Sequence, residues 1–192
     1  MKHLLFLGTL ALIFVGASSF ILNKETLKMN KNNHAKTSIY NFKIASIDGG
    51  IIDFSKFKGK YILVVNTASK CGFTPQYKGL EQLYKDYQNK LVIVGFPSDN
   101  FADQEFHDNK DIKSFCEKNY GVTFPLTTRV DVKGKNITPV FDYLTHKSEN
   151  GTLDAKISWN FNKFLIDPNG NLLEHFDSKV TPESQEILKY LK

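Results

Sequence analysis

The stretch Lys60-Tyr-Ile-Leu-Val-Val-Asn-Thr-Ala-Ser-Lys-Cys-Gly-Phe-Thr-Pro-Gln-Tyr77 constrains the fold more than any other part of the chain. Tyr61 to Val65 is an apolar, β-branched run, the pattern of a strand covered on both faces. A short polar turn carrying Cys71 follows. Thr74 then suits a helix cap, and Pro75 suits a first turn, where no backbone N–H is needed. Tyr77, Leu80, Leu83, Tyr84 and Tyr87 recur at helical spacing and define one apolar face. Cys71 is therefore expected between the carboxyl end of a buried strand and a helix N-terminus, where open α/β sheets place their sites. Unpaired N–H groups there favour a thiolate, with Lys70 next door adding to the effect. An inert, buried packing cysteine is the alternative that position alone leaves open.

The neighbouring segments extend the pattern. Tyr40, Phe42 and Ile44 alternate as in a strand, Asp48-Gly49-Gly50 signals a hairpin, and Ile51 to Phe54 returns. Leu91 to Phe96 is a second buried strand, so strand, helix and strand form a βαβ unit with a parallel pair. A polar loop, 97–110, follows at the carboxyl end of that strand. A helix is predicted from Asp111 to Tyr120, with Ile112, Phe115 and Cys116 on one face. Phe124 to Thr127 reads as a strand or its approach, and Pro139 opens a helix through His146. Lys163 to Ile166 and Leu172 to Phe176 flank the tight turn Asp167-Pro-Asn-Gly170. Thr181-Pro182-Glu183 is the expected start of a last helix, with Ile187, Leu188 and Leu191 inward.

The first 38 residues differ from the rest. They hold five lysines and one glutamate, a net +4, so the remainder carries about +1 of the total +5. That balance is no nucleic-acid footprint. An uncharged run, 4–22, behind Lys2 and His3 reads as a secretory signal peptide, with Gly16-Ala17-Ser18-Ser19 near the cleavage point. An uncleaved membrane anchor is the alternative, since the run approaches bilayer-spanning length. Residues 23–38 read as a polar linker, and residues 39–192 as one domain exported to the periplasm or the exterior. Two cysteines are too few for a disulfide scaffold, and neither sits in a Cys-x-x-Cys pair. The five histidines show no metal-ligand spacing. Nothing here calls for a metal or a cofactor.

Three motifs carry a family likeness. Asn66-Thr-Ala-Ser-Lys-Cys-Gly-Phe-Thr74 with Gln76-Tyr77 resembles the peroxidatic motif of the glutathione peroxidase family. Gly95-Phe-Pro-Ser-Asp-Asn-Phe101 with Gln104-Glu105 resembles its second motif, and Trp159-Asn-Phe-Asn-Lys-Phe-Leu165 its third. The likeness covers roughly residues 38–192. It implies a thioredoxin-like α/β fold, with a central mixed sheet flanked by helices and an N-terminal hairpin, and it implies reduction of hydrogen peroxide and organic or lipid hydroperoxides. Cys71 matches the peroxidatic position, and Trp159 and Asn160 match two polar partners. The family's remaining partner is a glutamine, where this chain has Asn100 with the same amide on a shorter arm. Ser98 replaces a cysteine. Cys116, 45 residues after Cys71, falls where thioredoxin-using members carry a resolving cysteine. The resemblance also implies a monomer, because the stretch before Trp159 is short. An open site would then admit bulky hydroperoxides and a thioredoxin-like reductant in preference to glutathione.

Chemistry and resemblance agree on the reaction type. The indole N–H and side-chain amides can donate hydrogen bonds to sulfur and to charge developing on oxygen. A thiol–disulfide oxidoreductase would want Cys-x-x-Cys, and a peroxiredoxin Thr-x-x-Cys, where this chain has Ala68. A redox switch with little turnover and a glutathione-using one-cysteine peroxidase remain as alternatives.

Overall fold

The computed structural model describes residues 37–192; the leader and nearly all of the linker proposed above lie outside the described residues. Strand β3 (Tyr61–Thr67) and strand β4 (Leu91–Pro97) pair in parallel, joined by helix α1 (Gln76–Asp86). This is the expected βαβ unit. Strand β5 (Lys163–Ile166) lies antiparallel on the other side of β3, and β6 (Leu172–Phe176) closes the edge, giving the order β4-β3-β5-β6. The hairpin is separate: β1 (Lys43–Ala45) and β2 (Ile51–Asp53) pair antiparallel around the Asp48-Gly49-Gly50 turn.

Alternation in the two central strands builds two cores. Leu63, Val65, Leu91 and Ile93 face one side, against α1, helix α2 (Asn109–Tyr120) and the last helix. Ile62, Val64, Val92 and Val94 face the other, against helix α3 (Pro139–Thr145) and the N-terminal segments. Residues 62–65 have no exposed surface, which is why the run shows no polar alternation. The segment 124–127 runs along β4, exchanging backbone bonds with Gly95 (Gly95 N–H to Pro125 O 2.9 Å, Thr127 N–H to Gly95 O 2.9 Å). A Cβ at residue 95 would meet Leu126 Cδ2 at 2.5 Å, so any larger residue here would displace the buried Leu126 side chain.

Several local expectations shift. The first half of the predicted strand around Tyr40 is a 3-10 turn, Ile39–Asn41, capped by the Ser38 hydroxyl. Helix α2 begins two residues before the predicted Asp111, because the Asp108 carboxylate accepts from the Lys110 N–H and caps it. It ends, as expected, at Gly121, in the left-handed region at φ 63°. A one-turn helix α4 (Lys147–Asn150) follows α3. The last helix, α5 (Gln185–Leu188), starts later than Thr181: the Ser184 hydroxyl accepts from Glu186 and is the true cap.

Candidate active site

Cys71 sits just beyond β3 in a tight turn and is 7% exposed. Thr74 does not cap the helix as its sequence position suggests. Its hydroxyl accepts from the Cys71 N–H at 3.0 Å and donates to the Ala68 carbonyl at 2.8 Å, so it cross-braces the turn. The helix starts two residues on, with Pro75 before it and no side-chain cap. The Phe73 N–H points at Cys71 Sγ, 3.4 Å away. The expected helix-start donor therefore exists, but it comes from the turn.

The third motif is fixed by a residue that sequence reasoning quoted and did not use. Asn66 is fully buried at the end of β3, and four of its polar groups hold the 159–162 turn. Its side-chain N–H donates to Trp159 O at 3.1 Å, and its Oδ1 accepts from Asn162 N at 2.9 Å. Its backbone carbonyl accepts from Phe161 N and its N–H donates to Asn162 O. Phe161 sits in the left-handed region at φ 62°, a strain of about 1–3 kcal/mol for a residue with a Cβ. Its carbonyl accepts from Lys163 Nζ at 2.8 Å. Lys163 is wholly buried, and burial holds its ammonium down to about 7. A polar Asn ending an apolar strand run, and a Lys opening another, were the available signals.

The second motif joins the other two. The Lys70 N–H donates to the Gln104 carbonyl at 2.8 Å, and the Gln104 side-chain carbonyl accepts from Asn160 Nδ2 at 3.1 Å. Gln104 thus bridges the Cys71 turn to Asn160. Asn160 is fully buried, and its Oδ1 has no partner among the described residues. Trp159, 36% exposed, packs on Phe101 with ring centroids 5.7 Å apart. Asn100 is placed differently from the expectation. Its Nδ2 donates to Asp131 at 2.6 Å and its Oδ1 accepts from Val132 N at 2.7 Å and Lys133 N at 3.2 Å. Both ends of the amide are used to hold the 131–133 loop, and the longer arm of Gln104 is the one that reaches Asn160.

Cys116 lies on the buried face of α2 with Ile112, in the same apolar core as Cys71. Both thiols are free. Burial pushes the Cys116 thiol up to about 12, a rise only partly offset by the Tyr77 hydroxyl.

The glutathione peroxidase family model matches residues 39–145. The chain belongs to the glutathione peroxidase family. Among its relatives, the glutathione peroxidase-like peroxiredoxin 2 of Saccharomyces cerevisiae is 48% identical over 159 residues, covering 81% of this chain and 98% of the relative. The glutathione peroxidase of Lactococcus lactis subsp. cremoris is 45% identical over 150 residues, covering 78% and 95%. The apo crystal structure of Trgpx superposes with a TM-score of 0.63 at 35% identity, covering 82% of this chain and 97% of that one. A thioredoxin-family thiol:disulfide interchange protein from Chlorobium tepidum matches at TM-score 0.59 and 19% identity, covering 83% and 98%, which speaks to fold. The thioredoxin-like fold expected from the three motifs is the fold found. As a member of this family, the chain is a peroxidase of the oxidoreductase class.

Proposed function

We propose that this peroxidase reduces hydroperoxides through Cys71 as the peroxidatic thiol and Cys116 as the resolving thiol, recycled by a thioredoxin-like dithiol. The observation that carries the reading is the convergence of the three motifs, with Gln104 bonding the Cys71 turn to Asn160. The Cys71 sulfur attacks one peroxide oxygen, the O–O bond breaks, and alcohol or water leaves once its oxygen gains a proton. Cys71 is left as a sulfenic acid. Trp159 and Asn160 supply N–H donors for the charge on the departing oxygen. Cys116 then condenses with the sulfenic acid, and the external dithiol reduces the resulting disulfide.

The names of the yeast relatives, peroxiredoxins of glutathione peroxidase type, support the thiol-based reading. Because α2 fully buries only Ile112 and Cys116, with Phe115 and Tyr120 half-buried beside them, it is the element that opens to deliver the second thiol. The uncharged run 4–22 supports export, with the membrane surface as the alternative station if the run is retained. The reading also holds that the domain works as a monomer.

The deciding experiment is hydroperoxide turnover by the full chain, with thioredoxin and with glutathione in parallel. Thioredoxin-driven turnover is expected to dominate. One-time oxidation of Cys71 with no turnover on either donor would instead make the protein a redox switch.

The two amides of the second motif make a paired prediction. Gln104→Ala is expected to slow Cys71 oxidation about tenfold or more, by freeing Asn160. Asn100→Ala is expected to leave that rate within a few-fold and to lower stability by about 1–2 kcal/mol, by unpinning the 131–133 loop. Stopped-flow fluorescence of Trp159 and urea unfolding read the two effects. The opposite assignment of effects would return the amide role to Asn100.

A further inference from the structure

Four buried side-chain oxygens without a hydrogen-bond partner among the described residues gather around the two cysteines: Thr67 Oγ1, Ser69 Oγ, Tyr77 Oη and Glu105 Oε2. Native interiors rarely leave such groups unpaired, and a cluster of them asks for a role. Thr67 and Ser69 lead from β3 into the Cys71 turn. Tyr77 is the first buried residue of α1, and its hydroxyl faces both the Thr67 hydroxyl and the Cys116 thiol. Glu105 is 1% exposed. Its Oε1 accepts from Phe106 N at 2.8 Å and Ser69 N at 3.3 Å, which aims the carboxylate inward and leaves Oε2 free. Its charge is felt at both Tyr77 and Cys116.

The reaction proposed above needs something at this place. A thiol buried on a helix face is a poor nucleophile until its proton leaves. Among the described residues, the charges of two carboxylates act on the Cys116 thiol. Glu117 is exposed and lies 3.7 Å from the Lys113 ammonium, whereas Glu105 is inside. Lys70, from the Cys71 turn, is the one cation among the described residues acting on Glu105, and it sits outside, over the Phe106 ring at 4.2 Å.

Resting on the two-cysteine reading, we propose that Glu105 is the base that takes the Cys116 proton, relayed through the Tyr77 hydroxyl, when Cys116 attacks oxidised Cys71. The Tyr77 and Glu105 oxygens, unpaired in the reduced protein, close to hydrogen-bond distance as α2 loosens, and the Cys116 proton then passes to the Tyr77 oxygen as the Tyr77 proton passes to Glu105 Oε2. The Cys116 sulfur forms the S–S bond with Cys71, and the S–O bond of the sulfenic acid breaks. The departing hydroxide takes the proton held by Glu105 and leaves as water. No outside oxidant or reductant enters this step. The relay also gives α2 a reason to open, since a thiolate is far less content than a thiol in the apolar core.

Glu105→Gln keeps the Oε1 acceptor for Ser69 and Phe106, and Tyr77→Phe keeps the ring packing. Single-turnover oxidation by hydrogen peroxide separates two phases: sulfenic acid formation, followed by chemical trapping, and disulfide formation, followed by mass. In both variants the first phase is expected within about twofold of wild type, and the second slowed about 100-fold at pH 7, the range of a lost general base. The wild-type second phase is expected to vary little between pH 7 and 9. In the variants it should climb about tenfold per pH unit, tracking the thiolate fraction of an unassisted thiol. An unchanged second phase in both variants overturns the relay. So does equal slowing of both phases in Glu105→Gln, which would make Glu105 a brace for the turn. A wild-type protein that forms no sulfenic acid at Cys71 overturns instead the reading on which the relay rests.

Discussion

In a Cys71→Ser variant, hydroperoxide reduction should fall by a factor on the order of 10³ or more with either donor, because the attacking atom itself is gone. The surrounding groups remain, so the fold should not change: Thr74 still braces the turn from the backbone N–H of residue 71. Cys116→Ser should behave differently. Cys71 still oxidises once at near its normal rate, and turnover with thioredoxin then stops. The substitution also puts a hydroxyl into a fully buried apolar site, at a stability cost of about 1–3 kcal/mol. Melting curves of the reduced proteins should accompany the assays. Glutathione-driven turnover that survives in Cys116→Ser would reduce Cys116 to a packing residue.

The second large effect is on stability and concerns Lys163. Its folded-state pKa of about 7 lies well below the roughly 10.4 of an unfolded lysine. The cause is burial, only partly relieved by Asp177 and Glu183. Between those two values the unfolded chain binds the extra proton, so stability rises with pH across that window. Below pH 7 both states are protonated and the native state carries the full cost of the buried charge. Against Lys163→Met, wild type should therefore gain about 3–5 kcal/mol on going from pH 7 to above pH 10. Denaturant melts of both proteins at several pH values test this, and parallel curves would reject it. The same substitution removes the donor to the Phe161 carbonyl. Peroxidase activity should fall even where stability rises, because Phe161 holds its positive φ next to Asn160.

The framework of the fold was legible because its signals are local. Apolar runs marked β3 and β4, helical spacing marked the buried face of α1, and Asp48-Gly-Gly marked the hairpin. The misplaced residues fail for a common reason. Thr74 and Thr181 each precede a proline and look like caps, but a hydroxyl bonds to whatever donor the finished turn presents. For Thr74 that donor is Cys71, and the Ala68 carbonyl completes the brace, a pairing that exists only once the turn has closed. Ser184 wins the last cap because residues 181–184 first make a turn of their own, Ser184 N–H to Thr181 O.

The site was legible in part. Cys71, Trp159 and Asn160 stand out by their motifs, and the structure ties their loops together through Gln104. The choice between Asn100 and Gln104 could not be read from the sequence, since both carry the same amide. Reach and the competing demand of the 131–133 backbone determine which of the two bonds to Asn160 in the folded chain. Asn66, Lys163 and Glu105 are polar residues in or beside buried strands. Asn66 finds Asn162 96 positions away and Glu105 finds Ser69 36 positions away, so spacing gives no hint of those pairs, while Lys163 turns back on the Phe161 carbonyl two residues before it, which only the folded turn presents.

Cys116 is buried within α2, 45 residues after Cys71. Joining the two sulfurs would act on two scales with opposite signs. The bond would shorten the unfolded chain's repertoire by closing a long loop, disfavouring complete unfolding by about 4 kcal/mol on a chain-entropy model. It would also take Cys116 out of its place in the core and loosen the helix around it. The oxidised protein would then be harder to unravel as a whole and easier to cut by protease within 109–120. Oxidation state would be written as a local handle on an otherwise tighter molecule, open to a reductant that engages extended chain.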